Sequence, residues 1–166
     1  MKTLYRAIFL CCCMLFLNSM TCGEEGPYIP LYNPVVLDRD DFESSVEALP
    51  PQDVTKAGKI YIKDNLMFVN DLNKGFHVYN YSDPSSPLII GFIKTIGATD
   101  LAVRDNVIYI NHAVDLLTLS YDPATNAISV LHRNRNVFPQ KVSPHGDTFA
   151  GSTGDQIVIE WVPNQN

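Results

Sequence analysis

The sequence lacks most of what thiol, nucleotide and nucleic-acid chemistry require. Its four cysteines (Cys11, Cys12, Cys13 and Cys22) all fall within the first 22 residues. Everything after Cys22 is free of thiols, which excludes a disulfide-stapled scaffold and a cysteine-ligated zinc site. Outside Ala7 to Leu17, apolar stretches are short and broken by Pro, Gly, Asn or Asp. None approaches the roughly 20 residues of a bilayer-spanning helix. No Gly-x-Ser-x-Gly elbow, Gly-rich phosphate loop or dinucleotide fingerprint occurs, so no nucleophile elbow or nucleotide site is signalled. Lys and Arg are unclustered, and 12 of them stand against 18 Asp and Glu for a formal charge of −6. That balance argues against electrostatic binding to nucleic acid.

What is present begins with an address. Lys2 and Arg6 precede the 11-residue apolar run Ala7 to Leu17, the pattern of a signal peptide over residues 1–21. Removing it leaves 10 basic and 18 acidic side chains, a charge of −8. Cys22 would then be the single cysteine, unable to form an internal disulfide. The chain is long enough to bury a core without one. Cys22 and the following Gly23-Glu24-Glu25-Gly26 resemble a bacterial lipoprotein signal of the Bacteroidetes surface-export type. The resemblance implies an acylated Cys22, an outer-membrane or cell-surface location, and a membrane partner reached through lipid; two chains would anchor stably where one would not. Ser19 and Thr21 also suit a small-x-small cleavage site, so plain secretion or a periplasmic location is the alternative.

Residues 22–34 carry Pro27, Pro30 and Pro34 and read as an extended tether. Residues 35–57 read as a short helix and connector. Phe42, Val46 and Leu49 fall at i, i+4 and i+7, Asp40 or Asp41 can cap the start, and Pro50-Pro51 enforces the end. Its apolar edge is expected to pack on the sheet that follows.

Residues 58–166 have the pattern of strands. Ile60 and Ile62 are separated from Leu66 to Val69 by Asp64-Asn65, a tight hairpin signal. Gly75 to Tyr81 and Leu88 to Ile93 follow as two further strands, with Asp83-Pro84 between them. The order then recurs. Ile60, Ile62, Asp64, Asn65, Phe68, Val69 and Asn70 lie 41 residues before Leu101, Val103, Asp105, Asn106, Tyr109, Ile110 and Asn111, and the Asp-Pro turns are 39 apart. A period near 40 with four strands per unit is a β-propeller-blade pattern. A third, partial unit is expected from Lys141 through Gly146-Asp147 to Ile157–Val162.

The stretch Gly75-Phe76-His77-Val78-Tyr79-Asn80-Tyr81-Ser82-Asp83-Pro84-Ser85-Ser86-Pro87 resembles the LVIVD-repeat signature of bacterial and archaeal surface proteins. Val35 to Arg39, Phe42 to Ser45 and Gly58 to Ile62 are similar to the opening of Bacteroidetes lipoproteins with such repeats, and Asp100 to Val103 with Asp115-Leu116 continue the likeness. The signature aspartate is Asn80 in one repeat and Ser120 in the next. The fold this implies is all-β, propeller-like four-stranded repeats, two to two and a half blades, with one short N-terminal helix. Propellers close with roughly four to eight blades. The chain is then a differently packed short variant, an oligomerising unit, or a truncated product of a longer repeat lipoprotein, since open repeat sheets leave edges that invite pairing.

Candidate chemistry is sparse. His77, His112, His132 and His145 have no helical i, i+4 partner or cysteine, so no metal site is indicated. His77 alternates with Phe76 and Val78 and is expected to face solvent or an edge. His112 with Asp100 and Asp115 could form an acid–base constellation, with turn capping as the plainer reading. Asp71-Leu72-Asn73-Lys74-Gly75 faintly resembles a calcium loop but lacks its terminal bidentate Glu; a hairpin turn is the simpler expectation. Ser44-Ser45, Ser85-Ser86 and Ser152-Thr153-Gly154 lack a nucleophile's context. Tyr28, Tyr32, Tyr61, Tyr79, Tyr81, Tyr109, Tyr121 and Trp161 include candidates for stacking on a glycan or peptide, although strand tyrosines commonly pack across strands. The expectation is a non-catalytic, cofactor-free cell-envelope module binding a protein or glycan, with His112, Asp100, Asp115 and Trp161 as binding candidates. An envelope hydrolase at His112, Asp100 and Asp115 is the alternative.

Overall fold

A computed structural model describes residues 29–151 and 155–164. The expected signal peptide, Cys22, Tyr28 and the Ser152-Thr153-Gly154 stretch lie outside the described residues. The elements are β1 (Tyr32–Asp38), α1 (Arg39–Ser44), β2 (Glu47–Leu49), β3 (Ala57–Lys63), β4 (Leu66–Asp71), β5 (Gly75–Asn80), β6 (Leu88–Lys94), β7 (Ala98–Arg104), β8 (Val107–His112), β9 (Asp115–Asp122), β10 (Ala127–Asn134) and β11 (Gln156–Pro163). They form three antiparallel sheets ordered β2-β6-β5-β4-β3, β10-β9-β8-β7 and β1-β11. Among the described residues no closed ring of sheets forms, and no helix is long and apolar enough to cross a membrane.

The two larger sheets repeat one local design. Asp64 (φ 52°) turns β3 into β4, and Asp105 (φ 50°) with Asn106 (φ 64°) turns β7 into β8. Asp and Asn tolerate this left-handed geometry better than other non-glycine residues. After the third strand of each unit, an aspartate closes an Asx turn. Asp83 accepts from Ser85 N and Oγ at 3.0 and 2.7 Å. Asp122 accepts from Ala124 N at 2.9 Å and Thr125 Oγ1 at 2.7 Å. The two Asp-Pro stretches are therefore the same turn twice.

The sheets pack face to face. Phe68, Phe76, Val78 and Ile93 of the first meet Leu101, Ile108, Ile110, Leu117 and Leu119 of the second in one buried cluster. Two edge contacts brace the pair: Tyr61 Oη donates to the Val103 carbonyl at 3.2 Å, and Asn126 Nδ2 to the Leu49 carbonyl at 2.8 Å.

Four expectations are corrected. Helix α1 is confined to Arg39–Ser44, because Val35 to Asp38 pair with β11 and Glu47 to Leu49 pair with β6. Phe42 and Val46 accordingly enter different cores and do not share one helical edge. Asp38 is the N-cap, with no side-chain cap bond, while Asp40 and Asp41 sit in the first turn, where acidic groups suit the helix dipole. The tether also ends earlier than residue 34, since Tyr32 opens β1 and Asn164 N donates to the Leu31 carbonyl at 2.8 Å.

The third unit does not form a four-stranded sheet. Residues 141–151 contain no strand, and β11 finds its partner in β1. This small sheet lies across the end of the two repeats and packs Ile157 and Ile159 with Phe42, Ala113 and Val114. Lys141 pins it there: Nζ donates to Asn73 Oδ1 at 2.6 Å, Ile159 O at 2.7 Å and Gly97 O at 2.9 Å. Burial pulls the Lys141 ammonium down to about 8, with Glu160 opposing.

His77, expected at the surface, is fully buried. The Phe76-His77-Val78 alternation holds, but β5 is the central strand of five and both its faces are covered from Gly75 to Val78. The His77 ring lies 4.7 Å from that of Phe92, and Nε2 is 3.2 Å from Asp71 Oδ2.

Candidate functional site

His112 and Asp115 face each other across the β8–β9 turn, and the structure makes them the centre of a buried ionic clasp. The Asp115 carboxylate accepts from Arg39 at 2.6 Å, Arg133 at 3.0 Å and the Asn136 amide at 3.0 Å. Burial pushes its pKa up, yet the Asn136 amide and the two guanidiniums outweigh that and hold it below the usual carboxylate range. The same Arg133 nitrogen lies 3.0 Å from His112 Nδ1. A guanidinium only donates, so Nδ1 accepts and the imidazole is neutral, with its proton on Nε2. Burial and the adjacent Arg133 push His112 down to about 3 against the pull of Asp115. Phe42 stacks on the imidazole at 4.0 Å, and the guanidiniums of Arg39 and Arg133 lie 5.7 and 5.5 Å from its ring centroid.

This arrangement joins α1, the β8–β9 turn and the end of β10. The Asp115 carboxylate is taken up by Arg39, Arg133 and the Asn136 amide. The buried His112 Nε2, by contrast, has no well-formed hydrogen bond, with the Ile96 backbone beside it. Arg39 also lines a surface cleft with Asp38, Asp40, Arg135 and Asp155. Asp100 is elsewhere: it pairs with Lys59 and accepts from the Leu101 amide at 2.9 Å, bridging the edge strands β7 and β3. The structure thus brings His112 and Asp115 together and leaves Asp100 out. Arg39 and Arg133 are the partners that sequence reasoning missed. A buried carboxylate requires compensating cations, but which of the chain's arginines supplied them was not legible.

The Asp71–Gly75 stretch forms the β4–β5 hairpin turn, with Lys74 N donating to Asp71 O at 2.9 Å. The Asp71 carboxylate turns inward and accepts from Thr55 N and Oγ1, Lys56 N and His77. Burial pushes its pKa up, and these hydrogen bonds overcome that to bring it down to about 2. Among the described residues no three His, Cys, Asp or Glu side chains are grouped to hold a metal.

Trp161 has a different setting. A cleft of about 500 Å³ runs between the β1–β11 sheet and residues 146–150. Tyr32, Phe149 and Trp161 line it with aromatic surface, and Asn33, Asp147 and Thr148 with polar groups. The walls are held in place. Trp161 pairs with Pro34 in the sheet, and its indole N–H donates to the Lys141 carbonyl at 3.0 Å. The Tyr32 and His145 rings lie 5.7 Å apart. Ser143 Oγ donates to Asp147 Oδ2 at 2.8 Å and accepts from the Asp147 amide at 2.9 Å, closing the turn that carries the second wall. Of the sequence candidates, Trp161 and Tyr32 meet here. Phe149 and Asp147 were not foreseen, because nothing local marks residues 141–151 as a wall for a sheet built from the two ends of the described chain. Comparison with protein-family models, curated proteins and solved structures finds no match to this chain.

Proposed function

We propose that this protein is a non-catalytic, lipid-anchored module of the cell envelope that binds a neutral glycan in the Trp161 cleft. Its two repeated sheets are read as adjacent propeller-like blades, with the β1–β11 sheet carrying the binding surface. The observation behind the glycan is the pairing of three aromatic side chains with Asn33, Asp147 and Thr148 in one cleft of about 500 Å³. Sugar rings present apolar C–H faces that lie against aromatic rings, while their hydroxyls take up amide, carboxylate and hydroxyl partners. The volume falls within the usual range for small-ligand sites. The acidic character of the chain disfavours an acidic sugar. Binding is preferred over hydrolysis because Asp100 does not join His112 and Asp115, and the Asp115 carboxylate is taken up by Arg39, Arg133 and the Asn136 amide.

Trp161 is the single tryptophan, so tryptophan emission, excited selectively over the tyrosines, reads the cleft. Titration with a panel of neutral oligosaccharides is expected to change the emission saturably for at least one of them. Tyr32→Ala, which leaves the reporter in place, is expected to weaken that binding at least tenfold. A flat response across the panel, or full affinity in Tyr32→Ala, refutes the glycan reading.

The anchor is tested separately. Cells fed a clickable fatty acid are expected to label the protein, and Cys22→Ala is expected to abolish the label. Unlabelled wild-type protein, or label that survives in Cys22→Ala, refutes acylation and leaves plain secretion.

A further inference from the structure

We infer that the outer face of the first repeat sheet is a self-association surface, and that a second copy of this chain covers it through a two-fold contact. The argument rests on the internal repeat. Cross-strand partners place Ile60, Val69 and His77 in one row of the first sheet, and Ile62, Met67 and Tyr79 in the next. The corresponding rows of the second sheet are Leu101, Ile110 and Leu117, then Val103, Ile108 and Leu119. Those residues are the face with which the second sheet packs onto the first, and Leu101, Ile108, Ile110, Leu117 and Leu119 are each 7 % exposed or less.

In the first sheet the same face has no sheet against it. Ile60 is 62 % exposed and Ile62 50 %, and neither belongs to either buried cluster. Val69, His77 and Phe92 are closed over, on the side where Thr55 and Lys56 bond Asp71, and the open part of the face is the β3 side with Ile60 and Ile62. One chain therefore carries two copies of a sheet-docking face and satisfies one of them.

Two observations select a second copy as the occupant. The two rows, completed by Phe92 and Ile89 from β6, contain no Asp, Glu, Lys or Arg. A two-fold contact thus brings no like charges together, although the chain as a whole is acidic. The opposite face of the second sheet carries Ala102, Tyr109, Thr118 and Ser120; it is too polar to receive the apolar rows in a head-to-tail stack. Branched aliphatic side chains on two such faces interdigitate as in a sandwich. The patch is small for an interface, so the dimer is expected to be weak, with half-association at about tens of micromolar.

All eleven strands lie within residues 32–163, so residues 23–166 retain the whole described fold. Light scattering on that chain is expected to show the mass rising from one copy to two between about 1 and 300 µM and levelling there. Ile60→Lys with Ile62→Lys is expected to stay monomeric while keeping a cooperative melt. Residues 23–166 contain no cysteine, which provides a second readout independent of that variant. Under mild oxidation Ile62→Cys is expected to form a disulfide-linked dimer, and Tyr109→Cys on the opposite face to form none. A wild-type monomer at every concentration overturns the inference, as does a mass that climbs past two copies. Cross-linking at residue 109 but not at 62 would do the same.

Discussion

Asp115→Ala is expected to cost about 3–5 kcal/mol of stability, because it strands the Arg133 guanidinium in the interior and leaves Arg39 only Glu43 and Asn136 Oδ1 as partners. The Asp115 side chain is fully buried, and those of Arg39 and Arg133 are only 11 % exposed. Removing the carboxylate leaves two like charges flanking Phe42, with the Asn136 amide losing its acceptor. The loss spreads beyond one contact, since the clasp holds α1 and the end of β10 to the β8–β9 turn. For a domain of this size the unfolding midpoint should fall by about 10 °C or more. Asp115→Asn, nearly isosteric, is expected to recover little, because the missing quantity is charge. An exposed pair such as Lys63 with Asp64 provides the contrast: solvent screens it, and removing that ion pair alone is expected to leave the midpoint nearly unchanged. Differential scanning calorimetry of these variants checks the prediction, and an Asp115→Ala midpoint within about 2 °C of wild type would sink it.

The same carboxylates set the acid limit of the fold. Asp115 and Asp71 both titrate below their ordinary value when folded, Asp71 at about 2. Each therefore contributes stability that is complete above the unfolded value near 4 and is lost as pH falls through the folded one. The midpoint should drop steeply between about pH 4 and 2, and the drop should be shallower in Asp115→Asn.

Gly75→Ala, at the buried first residue of β5, is expected to cost about 3 kcal/mol or more. Gly75 opens β5 at φ +150°, and a Cβ there would sit 2.1 Å from the Ile93 carbonyl oxygen and 3.0 Å from the Thr95 amide. Both obstacles are backbone, so the clash is relieved only by parting β5 from β6. The lost pairing would reach Lys94, which is opposite Gly75 in the register. Gly146 separates strain from clash. It has φ +89° with nothing within 4 Å of an added Cβ, so Gly146→Ala is expected to cost about 1 kcal/mol from backbone conformation alone. Urea melts should place the Gly75→Ala midpoint at least about 1 M below that of wild type. Equal midpoints for the two alanine variants would refute the role assigned to the Ile93 carbonyl.

The hairpins at Asp64-Asn65 and Asp105-Asn106, the two Asp-Pro turns and the strands between them were legible in the sequence, because each depends on a few consecutive residues. A left-handed Asp or Asn, an Asx hydrogen bond and a period of two are local properties, and the repeat states them twice. The sequence by itself therefore determined a mostly β chain of antiparallel units. Tertiary structure decided everything that joins distant residues. Tyr32 pairs with Pro163, so Val35 to Asp38 became a strand where the helical spacing of Phe42, Val46 and Leu49 had pointed to a longer helix. His77 was buried by a segment covering a face that alternation could only mark as alternate. Asp100 was drawn to Lys59 on the neighbouring sheet, and Asp115 to Arg39 and Arg133. The cleft at Trp161 exists only because β1 and β11 meet. The reason is physical: a turn is selected by the energies of its own few residues, whereas burial and ion pairing are selected by whichever surfaces the packed sheets bring within a few ångströms.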